Sequence, residues 1–154
     1  MLTVSPRKRV LIAADHAGIE LKAELKKRLP DWEWEDLGPL DSHRVDYPDY
    51  ARMLAVKIAS GQAAQGILIC GSGIGMSIVA NKVHGVRAAL VENASAARLS
   101  REHNDANVLC LGSRFVAPEY AAEIAETWLK TPFSGESRHQ GRLNKITEIE
   151  KGKT

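Results

Sequence analysis

No stretch of the sequence approaches the ~18 consecutive apolar residues of a transmembrane helix, so no membrane partner is expected. Neither sign of charge dominates: 21 Lys and Arg face 19 Asp and Glu, a formal net charge of +2. So small a balance predicts neither a nucleic-acid-binding nor a membrane-surface protein. Cysteine is rare. The two present, Cys70 and Cys110, lack CxxC spacing, and free thiols in a reducing cytoplasm are the simplest reading. There is no repeat, no long low-complexity segment and no Pro/Gly-rich linker. The first apolar run, Val10 to Ala14, is short and stops at Asp15-His16, which does not fit a signal peptide. What remains is a chain of 154 residues, 44% hydrophobic and 26% charged, which suits a single globular domain over 1–154 with a flexible N-terminus over 1–8.

Short apolar runs alternate with longer amphipathic segments. Val10–Ala14, Gly66–Cys70, Val86–Val91 and Val108–Gly112 read as strands, with a weaker one at Trp34–Leu37. Mostly continuous apolar runs indicate strands covered on both faces, as in a parallel sheet. Leu21, Leu25 and Leu29 share one helical face before Pro30 stops the segment. Tyr50–Ser60 repeats the pattern, and further helices are expected near 74–84, 94–103 and 118–129, with Pro118 suited to a first helical position. The alternation implies a Rossmann-like α/β/α sandwich on a five-stranded parallel sheet with right-handed crossovers. A polar segment over 138–151 is expected to form an extra C-terminal helix at a subunit interface.

Ligands of such sheets bind beyond the carboxyl ends of the strands. Polar residues follow those ends: Asp15-His16-Ala17-Gly18, Cys70-Gly71-Ser72-Gly73-Ile74-Gly75, and Gly112-Ser113-Arg114. His103-Asn104-Asp105, closing the fourth helix, is expected at the same rim. The glycine-rich turn lies between a strand and a helix, where free N–H groups and the helix dipole favour an anion or a developing oxyanion. Counting excludes better-known turns. A dinucleotide fingerprint would need glycine at Met76 or Ile78, a P-loop would need a Gly-Lys pair beginning at Met76 or Ala80, and a cysteine phosphatase would need arginine at Met76. A thiol at Cys70 is either a base or nucleophile, or a buried inert residue; Cys110, inside its strand, fits the inert case. His16 and His103 beside Cys70 and Asp15 would make an acid–base site. Arg138 and Arg142, four apart on one helical face, and Arg114 suit phosphate recognition or a solvated basic face.

Asp15-His16-Ala17-Gly18, Asp46-Tyr47-Pro48, Cys70 to Ser77, Ala80-Asn81-Lys82, Arg101 to Val108, Gly112-Ser113-Arg114 and Arg138-His139 together resemble the type B ribose-5-phosphate isomerases. That family includes isomerases of galactose 6-phosphate and allose 6-phosphate. The resemblance runs from about residue 8 to 150. It implies a cofactor-free aldose–ketose isomerase of the pentose phosphate pathway, with no metal, acting on a small sugar phosphate. It also implies a homodimer, or a homotetramer, whose active site is shared between subunits. Carried over by position, Cys70 would be the base and His103 would assist ring opening, with Asp15 nearby. Tyr47, His16 and Asn104 would line the sugar, the Gly71, Ser72, Gly73, Ile74 and Gly75 turn would face the enediolate, and Arg114, Arg138 and Arg142 would hold phosphate. Where one branch of the family carries a glutamate base, this chain has Met76, which places it in the cysteine branch. A six-carbon substrate, a non-catalytic phosphosugar-binding subunit and a flavodoxin-like nucleotide module are the rival readings.

Overall fold

The computed structural model describes residues 8–153; of the expected flexible terminus over 1–8, all but Lys8 lie outside them. Eleven elements follow in chain order: β1 (Arg9–Ala14), α1 (Ile19–Arg28), β2 (Glu33–Asp36), α2 (Tyr47–Ala59), β3 (Gly66–Cys70), α3 (Ile74–Ala80), β4 (Ala88–Leu90), α4 (Ala94–Asn104), β5 (Val108–Gly112), α5 (Pro118–Lys130) and α6 (Ser137–Glu150). The strands form one parallel sheet in the order β2-β1-β3-β5-β4.

The strand period of two sorts the core into two layers. Val10, Ile12, Ile67, Ile69, Leu109 and Leu111 pack with Leu21, Leu25, Ile124 and Trp128 of α1 and α5. Leu11, Leu68, Cys70, Val108 and Cys110 face the other way, onto Leu54, Ile58, Met76 and Ala80 of α2 and α3. This is the expected α/β/α sandwich. α6 lies outside it on α4, burying only His139 and Leu143 and leaving Ile146 and Ile149 exposed.

Three boundaries differ from expectation for local reasons. α2 begins at Tyr47 rather than Tyr50, because Pro48 fits the first turn and the Asp46 carbonyl accepts the Asp49 amide. β4 is three residues long instead of six. Asn81 both accepts from the Ala88 amide and donates to the Ala88 carbonyl, so one side chain takes the place of a neighbouring strand and blunts this sheet edge. α3 stops at Ala80, and residues 81–85 turn instead of continuing the helix. Among the described residues no helix is long and apolar enough to cross a membrane.

Candidate active site

At the carboxyl ends of β1, β3 and β5 three loops are tied into one floor. The Asp15 amide donates to the Ile69 carbonyl, the Ser113 amide to the Cys70 carbonyl, and the Arg114 amide to the Gly71 carbonyl. The Ser113 hydroxyl crosses back to the Ala17 carbonyl at 2.8 Å. Asp15 is itself buried, and its Oδ1 takes the Ala17 amide at 2.9 Å, closing a small turn after β1.

The glycine-rich turn starts at the last residue of β3. Gly73 caps α3 with φ of +76°, a left-handed conformation that disfavours any side chain there. The Gly73 amide donates to the Cys70 sulfur, 3.1 Å away. The Ser72 hydroxyl accepts the Ile74 amide. At Gly75 the backbone lies against the Tyr47 ring so closely that a Cβ would sit 2.6 Å from it. The Arg114 guanidinium lies over Gly71 in the same way. His16 reaches the backbone of Val45 through Nδ1, at 3.2 Å from its carbonyl oxygen and 3.3 Å from its nitrogen, and so fastens the loop that presents Tyr47.

The result is an open cleft of about 390 Å³ into which Asp15, His16, Tyr47, Cys70, the turn and Arg114 all contribute. Cys70 is nearly buried but borders this cleft, whereas Cys110 is fully enclosed in the sheet and burial pushes its thiol far up. The two cysteines therefore divide as the sequence suggested for Cys110: one inert, one at a mouth. A larger cavity of about 680 Å³ opens at the opposite rim. There the Asp105 carboxylate takes both Arg87 and Arg101, whereas the residues that follow the carboxyl ends of the strands line the smaller cleft.

One expectation is corrected. His103 and Asn104 do not share a rim with Cys70. α4 runs back from the carboxyl end of β4 to the amino end of β5, so its last residues lie beside Val108, whereas Cys70 pairs with Gly112. The length of β5, roughly 13 Å at ~3.3 Å per residue, separates the two rims. Arg138 and Arg142, on α6, go with His103: the His103 and His139 rings lie 4.3 Å apart, centroid to centroid. Arg138 is held outward by Glu136, whose carboxyl its guanidinium keeps low. The sequence-predicted residues thus fall into two groups. Asp15, His16, Tyr47, Cys70, Gly71, Ser72, Ile74, Gly75 and Arg114 meet in one cleft, with Gly73 buried behind the turn; His103, Asn104, Arg138 and Arg142 gather at the far end of the same chain.

The C-terminus of α4 is held by a network that no sequence pattern announced. Asp105 adopts a left-handed conformation, with φ of 44°, as the helix cap. Its carboxylate receives Arg101, and Arg87 donates to the carbonyls of Asn104 and Asp105. Arg101 also lies over the Trp128 ring. Ile78, which completes the wall of the Cys70 cleft, also escaped the sequence reading; an apolar residue one turn into a helix carries no signal of its own.

Known proteins match this chain in sequence and fold over nearly its whole length. The family described as Ribose/Galactose Isomerase matches residues 10–146. Ribose-5-phosphate isomerase B of Escherichia coli is 45% identical over 145 residues, covering 93% of this chain and 97% of that one. The type B ribose 5-phosphate isomerase of Trypanosoma brucei superposes with a TM-score of 0.90 at 48% identity, covering 93% of this chain and 99% of the other. The ribose-5-phosphate isomerase B of Mycoplasma genitalium, solved with bound ribulose-5-phosphate, gives 0.87 at 44% identity, covering 93% and 96%. With fold and length held in common to this degree, the chain is an isomerase and belongs to the ribose/galactose isomerase family.

Proposed function

We propose that the chain interconverts ribose 5-phosphate and ribulose 5-phosphate, with Cys70 as the base. The observation that carries this is the Cys70 sulfur, fed by the Gly73 amide at 3.1 Å, bordering the cleft that also holds Asp15, His16, Tyr47 and Arg114. A hydrogen bond to a sulfur strengthens when that sulfur is a thiolate, the form that accepts a proton. In the open-chain aldose the thiolate takes the C2 proton. The electron pair enters the C1–C2 bond and charge moves to O1. Amides of the turn and the onset of α3 face that oxygen and lower the cost of the charge. The Cys70 thiol then delivers its proton to C1, the O2 hydroxyl proton passes to O1, and O2 becomes the ketone. Arg114 holds phosphate, whose binding energy, remote from the reacting carbons, goes into orientation. The bound ribulose-5-phosphate of the Mycoplasma genitalium relative favours this substrate over a six-carbon one.

For ring opening we propose that a second copy of the chain contributes: His103, with Asn104, Arg138 and Arg142, enters the Cys70 cleft of its partner, beside Asp15 and His16, across a two-fold axis. Two observations support this reading. Both groups of polar residues are incomplete alone, and the cleft wall carries Ile74 and Ile78 at 51% and 55% exposure, apolar surface suited to a subunit contact.

Mixing two dead variants tests both statements. Cys70→Ala and His103→Asn are each expected to be inactive as homodimers. Unfolded together in equal amounts and refolded, they should recover about a quarter of wild-type turnover, because half the dimers are mixed and each mixed dimer has one intact pocket. No recovery from folded, exchanged dimers would overturn the shared pocket. Full activity of Cys70→Ala alone would overturn the base.

A further inference from the structure

Among the buried ionisable groups the mechanism does not use, one lies against His103. His139 sits in the first turn of α6 and is 2% exposed. Its Nδ1 lies 2.8 Å from the Ser134 hydroxyl, and that hydroxyl also accepts the Glu136 amide. Ser134 is in turn fixed to α4, because its amide donates to the Glu102 carbonyl. The His139 ring is therefore anchored on the side of Ser134, and it packs against His103 with a 34° tilt between the planes. Each part of this chain of contacts leads to the same imidazole, that of His103.

We propose that His139 is a positioning residue for ring opening: anchored by Ser134, its buried ring is the platform that fixes the orientation of the His103 imidazole. This rests on the reading of His103 as the ring-opening group. Aromatic packing of this kind restricts a ring to one plane, and a small misplacement of a catalytic group can cost ~10²-fold. Arg101, Asp105 and Arg87 fix the backbone under His103; His139 fixes the ring. The burial of His139, with the Arg138 and Arg142 guanidinium groups and the His103 ring around it, lowers its proton affinity despite Glu136, so the platform is an uncharged ring at neutral pH.

The test separates ring opening from proton transfer. Ribose 5-phosphate is mainly a furanose and must be opened. Ribulose 5-phosphate has its 5-hydroxyl esterified and cannot close to a furanose, so exchange of its C1 hydrogen with solvent deuterium needs only proton transfer at Cys70. His139→Ala is expected to lower kcat from ribose 5-phosphate about tenfold with KM little changed, and to leave the exchange into ribulose 5-phosphate, read by mass spectrometry in deuterium oxide, within about twofold. His139→Phe, which keeps a flat ring of similar size, should restore most of the lost kcat. Equal losses in conversion and exchange, a loss confined to KM, or wild-type turnover in a folded His139→Ala dimer would each overturn the proposal. His103→Asn serves as the control. Should it convert ribose 5-phosphate normally, the reading of His103 itself fails; should it lose conversion and keep exchange while His139→Ala does not, only the role of His139 fails.

Discussion

The Gly73 amide donates to the Cys70 sulfur over 3.1 Å, and Gly73 itself, in the left-handed region, turns the chain into α3. Base and turn are thus one unit: the backbone that faces the enediolate also holds the group that forms it. Cys70→Ala should lower turnover by at least the ~10²–10⁴-fold that a positioned base supplies, while phosphosugar binding persists. A coupled assay with ribose 5-phosphate, beside calorimetric binding, checks this. Retained turnover would exclude Cys70.

Gly73→Ala tests the geometry rather than the chemistry. A Cβ there would sit 2.6 Å from Leu90 and 2.9 Å from the Leu111 backbone, in a conformation that disfavours alanine. The combined cost should be about 2 kcal/mol or more, read as a fall in Tm of roughly 5 °C. An unchanged Tm would show that the turn relaxes freely.

The arginines should separate by kinetic signature. Arg142→Ala is expected to raise KM more than it lowers kcat, since a phosphate contact lies far from the reacting carbons. Arg114→Ala, beside the Gly71 backbone, should lower both kcat and affinity. Steady-state kinetics over a panel of aldose phosphates decides both. A KM insensitive to Arg142 would remove it from the pocket.

A pH prediction comes from the opposite edge of the sheet. Burial works against the Asp36 carboxylate, but Lys22, Lys26 and the Gly38 amide donate to it and hold its pKa below the usual value. The folded state therefore binds its proton later than the unfolded chain does. The stabilisation is complete above the unfolded value near 3.8 and is lost as pH falls through the lower folded value. Asp36→Asn leaves the buried Lys22 ammonium without its carboxylate and should cost about 3 kcal/mol at neutral pH. Urea midpoints measured from neutral pH down to about pH 3 should show the gap between wild type and variant narrowing in acid. A constant gap would contradict the ion pair.

Chelation offers a simple check. Proton transfer by a thiol, with charge held by amides and guanidinium groups, needs no metal, so EDTA should leave turnover unchanged. Activity lost to EDTA and regained with a divalent cation would refute this chemistry.

Most of the sandwich could be read from the sequence because β1, β3 and β5 are buried on both faces and their apolar runs are unbroken. β4 was overestimated: Val86 to Val91 looks like a strand, but only Ala88–Leu90 pair with β5, and the outer edge at Ala88 is closed by the side chain of Asn81, from another segment. Apart from Ile78, the Cys70 cleft was legible because its residues follow the carboxyl end of a strand or, like Tyr47, enter by motif resemblance. His103 was misplaced because a motif at the end of a helix belongs to the amino-end rim, and only the direction of α4 reveals that. The His103–His139 packing had no pattern to find, since it joins residues from two separate helices.

The two buried layers lie entirely within one chain, whereas the proposed pocket is completed by a second. Such a protein would lose its specific activity on dilution while its circular dichroism and fluorescence stayed those of the native state. Rate per chain would become a gauge of association, and a mutation at the subunit seam would mimic an active-site defect without touching a single group that meets the sugar.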